Sequence, residues 1–173
     1  MSQAINKKFL KGAKTFDDCV NLLQKSVSRD VAPLTMNVEE RALIIGCEKI
    51  TLSEANFTFY YWVFKRYQNN QTITTSQYDD GANEAYTEEF RSCLDELFGM
   101  GFSTRFDEES SNSSNAFKGV TYEFIRDRKN QIKTKLMEKL GINHSDYEIQ
   151  TVGKKPLQYS LTLPLNKFTV KFE

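Results

Sequence analysis

The chain has 173 residues, with 23 basic and 23 acidic side chains and no formal net charge at pH 7. That length suits one domain, or one domain with an appendage. The charge balance excludes a surface coated for non-specific nucleic-acid binding, so any electrostatic footprint must be local. No window reaches the apolar length of a membrane span, and the N-terminus lacks the apolar core of a signal peptide, so a cytoplasmic chain with no membrane partner is expected. Cys19, Cys47 and Cys93 are odd in number and far apart, and the one histidine, His144, falls in an expected loop. Metal-ligand spacing is missing, so reduced thiols are expected and neither a metal nor a cofactor.

Residues 1–14 are lysine-rich and start abruptly, as a frayed terminus or a connection cut from something larger would. Thr15 can cap a helix whose first turn holds Asp17 and Asp18, where the helix dipole favours negative charge. Phe16, Val20, Leu23 and Val27 recur at helical spacing and form an apolar stripe that must pack on something. Ser28-Arg29-Asp30 and then Pro33 end it. Leu34 to Leu52 reads as an antiparallel meander: LTMNV, a polar turn at 39–41, LII, a turn at Gly46-Cys47-Glu48, and KITL. Ser53 stands where a helix N-cap belongs. The helix from Glu54 to about Gln68 carries Phe57, Phe59, Tyr60, Tyr61, Trp62, Phe64 and Tyr67 on most of its sides, the pattern of a central buried helix. A stacking platform for bases is the alternative use of those rings.

Residues 69–82 are polar and rich in turn formers. A helix from about Asn83 to Phe98 follows, stopped by Gly99. Residues 103–118, with the run DEESSNSSNAFK, read as a flexible loop. From Tyr122 to Leu140 an amphipathic helix is predicted, stopped by Gly141. Phe124, Ile125, Ile132, Leu136 and Leu140 lie on or near one face. Arg126, Arg128, Lys129, Lys133, Lys135 and Lys139 occupy much of the rest. Strands are expected at 147–152 and 157–162, with Gly153-Lys154-Lys155-Pro156 as their turn, and a last short strand at 168–172. An apolar face that packs and a basic face left over is what a recognition helix needs, though lysines that only keep a helix soluble give the same pattern.

This order is an α+β, mainly helical fold: an N-terminal helix, a small antiparallel meander, then the three helices and wing of a winged helix-turn-helix. The segment 34–66 resembles the opening of the OmpR-type DNA-binding domain in Ile50, Leu52, Ser53 and Phe57, with Asn56 where an acidic residue is usual. "IQTVGKKPLQYSL" is similar to that family's wing. A closer resemblance covers nearly the whole chain. It is to the C-terminal half of CRISPR-associated proteins of type III systems, in which a CARF domain that senses cyclic oligoadenylate precedes a winged helix. The residues that carry it are "GAKTFDDCVNLLQKSV" (12–27), the joint at 33–66, "YEFIRDRKNQIKTKLMEKLG" (122–141), with Asn130 where Ser would be expected, and "YEIQTVGKKPLQYSLTLPLNKFTV" (147–170). The resemblance implies a fragment or truncated homologue in antiviral defence. Residues 1–32 would be a connector from a missing sensor domain, and 33–173 the winged helix. Cyclic oligoadenylate would be bound only through the missing part, whose relatives are described as ring nucleases.

No glycine-rich turn follows a strand and no catalytic constellation is visible, so this chain alone is not expected to be an enzyme, and His144 reads as a loop residue rather than a base. The expected nucleic-acid contacts, to DNA or RNA, are Arg126, Arg128, Lys129 and Lys133 on the helix and Lys154 and Lys155 on the wing. The alternative is a protein-interaction module, with Phe16, Val20, Leu23 and Val27 as the interface of a homodimer or of contact with the missing domain.

Overall fold

A helix that is aromatic on most sides needs walls on most sides, and the fold supplies them from two small sheets and three further helices. The structure, a computed structural model, describes residues 31–76, 79, 81–111 and 117–172. The expected helix over 15–27, with its stripe Phe16, Val20, Leu23 and Val27, lies outside the described residues. From Ala32 onward the chain forms one unit. Its elements are β1 (Leu34–Asn37), β2 (Ala42–Ile45), β3 (Glu48–Thr51), α1 (Glu54–Gln68), β4 (Ile73–Thr75), α2 (Glu84–Phe98), α3 (Phe102–Ser111), α4 (Tyr122–Leu140), β5 (Gln150–Val152), β6 (Leu157–Ser160) and β7 (Phe168–Lys171). The fold is α+β.

The meander forms as expected, with Leu34 opposite Ile45 in β1–β2 and Ile45 opposite Glu48 in β2–β3. It is not complete with three strands, because β7 adds to β1 in parallel, Leu34 beside Phe168, giving a mixed sheet in the order β3-β2-β1-β7. The second sheet has the order β4-β6-β5. Its strand β4 falls in the stretch 69–82 that reads as polar turn. Thr72, Thr74 and Thr75 hide the signal, and only Ile73 is an aliphatic anchor, buried opposite Tyr159.

Side chains set the helix starts. Ser53, Asn83 and Thr121 each accept a hydrogen bond from the backbone N–H three residues on, at 3.3, 3.0 and 3.1 Å. These bonds satisfy amides that have no partner inside the helix. Gly99 and Gly141 stop α2 and α4. In α1 the nine residues from Asn56 to Phe64 are all buried. Each large ring removed from water contributes roughly 1.5–3 kcal/mol. The rings are thus spent on the core and offer no platform for bases. Their polar tips are satisfied individually. Tyr60 donates to the Tyr147 carbonyl at 2.7 Å, and Trp62 Nε1 donates to Glu89 at 2.8 Å. Arg66 also holds Glu89, at 2.6 Å, lies over Tyr86, and donates to the Thr72 carbonyl at 3.0 Å. Tyr86 in turn accepts from the Thr74 N–H of β4 at 3.1 Å.

The expected loop over 103–118 needs correction, because α3 occupies its first half. Composition hides two aromatic rings spaced by four. Phe102 packs on Phe98, ring centroids 4.8 Å apart, and Phe106 packs on Phe90 and Phe117 at 6.3 and 5.6 Å. Asp95 accepts from Ser103 N and Oγ at 2.8 and 2.9 Å, and Arg91 pairs with Asp107 at 2.8 Å. The chain then returns to α2. Asn83 N donates to the Val120 carbonyl, and Val120 N donates to Thr87 Oγ1, both at 2.9 Å. Gly119, at φ +95°, is required at that approach. A Cβ there would meet Ala82 Cβ at 2.7 Å and Thr87 Oγ1 at 2.9 Å.

Phe90 is fully buried at the junction, with rings of Trp62, Phe106, Phe117 and Phe124 around it at 5.2–6.3 Å. Phe90→Ala should cost about 3–5 kcal/mol, measured as a lower midpoint in urea unfolding. Cys93 is buried on the same helix, and loss of hydration pushes its thiol up to about 12, Lys65 opposing and Glu96 and Glu89 adding. Because only the thiolate is nucleophilic, Cys93 should stay unmodified by iodoacetamide at pH 8 while exposed Cys47 reacts. Peptide mapping by mass spectrometry would check both.

Candidate nucleic-acid interface

A helix presents a cation outward only where no neighbouring element covers it. α4 packs on α1 and β3 and turns through a 3-10 segment (Gly141–Asp146) into the β5–β6 hairpin. Ile125, Ile132 and Leu136 form its buried ridge. Phe124 also packs, its ring 6.1 Å from Phe59, and Leu140 is half-buried. The strand expected over 147–152 begins only at Gln150. The Tyr147 and Glu148 amides bond back to the His144 carbonyl, which keeps the chain curled until there.

The sequence predicts one surface for six cations, and the structure divides them. Lys129 donates to Thr151 Oγ1 of β5 at 2.6 Å and lies over the Tyr159 ring of β6 at 5.9 Å. Burial holds its pKa below the ordinary lysine range; Glu148 opposes that shift and Lys133 adds to it. Lys133 pairs with Glu148 at 3.0 Å, and the Glu148 side chain is 13% exposed. Arg128 turns toward α1, donating to Asn56 Oδ1 at 3.3 Å and lying over the Phe124 ring. These three are not on an open face. Arg126 is exposed, although Asp127 pairs with it at 2.9 Å. Lys154 and Lys155 are exposed at the hairpin turn. Gly153, at φ +84°, is needed there, since a Cβ would lie 2.8 Å from the Pro156 carbonyl oxygen.

The outward ridge of α4 therefore reads Arg126, Asn130, Thr134 and Glu138, every fourth residue and all exposed, while exposed Lys135 and Lys139 lie roughly 100° or more around the helix from it. A search for charge passes over Asn130 and Thr134, because it ignores amides and hydroxyls, the groups that read base edges. Exposed Glu123 and Glu138 reduce the net charge of this face.

His144 is 18% exposed rather than open to solvent. Its Nδ1 lies 2.7 Å from the Gly141 carbonyl and its Nε2 lies 3.6 Å from Glu148, so the ring braces the turn. Among the described residues no group of three or more His, Cys, Asp and Glu side chains could hold a metal ion, and no helix is long and apolar enough to cross a membrane. Comparisons with protein-family models, curated proteins and solved structures found no match for this chain.

Removing Lys133 would leave an almost buried carboxylate without its ammonium partner. Lys133→Met should cost about 1–3 kcal/mol. Lys133→Met combined with Glu148→Gln should cost less than the two changes summed, because they share one ion pair. Additive losses in thermal melts would show that the pair does not hold the hairpin.

Proposed function

We propose that this chain is a winged-helix nucleic-acid-binding module, in which the outer ridge of α4 meets the groove and the β5–β6 turn meets the neighbouring backbone. The observation that carries the reading is the coupling of hairpin to helix. Lys129 and Lys133 bond to Thr151 and Glu148, and β4, from between α1 and α2, pairs with β6. The hairpin is thereby held beside α4, where a wing would lie, with Lys154 and Lys155 exposed at its tip. Arginine, asparagine and threonine along one helical ridge can supply base-edge contacts, while the wing lysines supply phosphate contacts.

The resemblance to CARF-type CRISPR-associated proteins fits within this proposal. The chain would be the binding end of a cytoplasmic antiviral sensor, with cyclic oligoadenylate bound elsewhere in the parent and no catalysis assigned to these residues. A second reading, a protein-interaction module, draws on Met137 and Ile142, which are 48% and 81% exposed where α4 ends.

Titration of labelled random duplex DNA at two salt concentrations tests the reading. Saturable binding that weakens steeply with salt is expected. Lys154→Glu with Lys155→Glu should weaken it and lower the salt slope by about 1 for each phosphate no longer neutralised. Arg126→Glu should weaken it further. Absence of binding at low salt would overturn the nucleic-acid reading and leave the protein-interaction one. Reversal of Lys129 or Lys133 is not a suitable test, since it would also detach the hairpin.

A further inference from the structure

The first half of α4, α3 and the start of α1 leave a groove of about 750 Å3 between them, within the range of small-molecule sites. One wall is aromatic. Phe106, Phe117 and Phe124 are each half-buried, and Phe117 meets Phe106 and Phe124 edge-on at 5.6 and 5.2 Å. The Arg128 guanidinium lies over Phe124 at 5.5 Å. What holds it is a neutral amide, because Nη1 donates to Asn56 Oδ1. Buried Asn56 is itself fixed, its Nδ2 donating to Gln131 Oε1 at 3.1 Å.

The charge of Arg128 is therefore positioned by a neutral partner, and among the described residues no carboxylate forms an ion pair with it. Among the described residues its Nε has no hydrogen-bond partner. Burial lowers its pKa, with Asp127 opposing. Two of the acids that line the groove are already engaged, Glu54 by Arg41 and Asp127 by Arg126. That leaves exposed Glu123 against Arg128 and exposed Lys118, a small positive excess. A half-desolvated guanidinium presents a planar fork of donors suited to carboxylate or phosphate oxygens.

We infer that this groove binds a small planar aromatic ligand carrying one anionic group, its ring against Phe106 and Phe117 and its anion on Arg128. The site adjoins the outer ridge of α4 through Glu123 and the Asp127–Arg126 pair, and the inference does not rest on duplex binding. The same chemistry is offered by a nucleoside monophosphate and by an aromatic carboxylate.

Isothermal titration of the full chain with adenosine monophosphate, indole-3-acetate and inorganic phosphate distinguishes the sources. At least one of the two ring-bearing probes should bind, and phosphate should not. Arg128→Gln should weaken that binding about ten- to a hundredfold, the value of one charge-assisted hydrogen bond. Glu123→Gln, which leaves every contact of Arg128 in place, should tighten it. Failure of both ring probes to bind, phosphate binding as tightly as they do, or unchanged binding in folded Arg128→Gln would each overturn the site. If Arg128→Gln does not fold, Glu123→Gln decides alone, and no tightening overturns the inference.

Discussion

A helix buried on nearly every side carries a constraint beyond hydrophobicity: each polar tip on it must find a partner, since an unsatisfied buried group costs about 1–3 kcal/mol. In α1 those partners come from different parts of the chain. Tyr60 reaches the Tyr147 carbonyl, Trp62 and Arg66 share Glu89 of α2, Tyr61 reaches Glu96 at 2.8 Å, and Arg66 holds the Thr72 carbonyl just before β4. Aromatic area drives the collapse, and the hydrogen bonds choose among the collapsed arrangements. Tyr147 extends the set by donating to the Ala32 carbonyl at 2.9 Å. The turn after α4 is thus tied to α1 and to the entry of the first sheet through one residue.

The cations of α4 show how one residue type divides between support and surface. Long side chains can lay their stems on apolar neighbours and place the charge at an edge. Lys129 and Arg128 instead place the charged group itself over a ring, of Tyr159 and of Phe124. Each then meets a polar group of another element. What remains exposed on the helix is mixed, with Asn130, Gln131 and Thr134 set among Glu123, Arg126, Lys135, Glu138 and Lys139. Charges of both signs on that surface accord with the absence of net charge in the whole chain.

Much of the fold was legible in the sequence, because its signals were periodic or punctuated. The aromatic run of α1, Gly99 and Gly141 as stops, and the turn at Gly46-Cys47 all stand where expected. Two elements were not legible. β4 has only three residues, two of them threonine, and exists because β6 supplies its ladder. The ring pair of α3 sits inside an acidic, serine-rich stretch whose average hides it. Nor does periodicity alone show that β7 would run parallel to β1, since that pairing joins residues more than a hundred positions apart. The candidate site was legible as residue types only. The sequence names Arg126, Arg128, Lys129 and Lys133 as the helix's expected contacts, but which of them the hairpin would cover depends on tertiary packing.

The docking of Gly119 and Val120 onto the start of α2 separates two parts of the chain that would otherwise be coupled. Thr87 Oγ1 donates to the Asn83 carbonyl at 2.7 Å and accepts from Val120 N, so one hydroxyl locks the entry to α4 onto the cap of α2. The direction of α4 is then set locally, downstream of whatever joins it to α3. The residues that join α3 to Phe117 can therefore change in sequence without re-aiming α4, whereas a side chain at Gly119 would shift it at once.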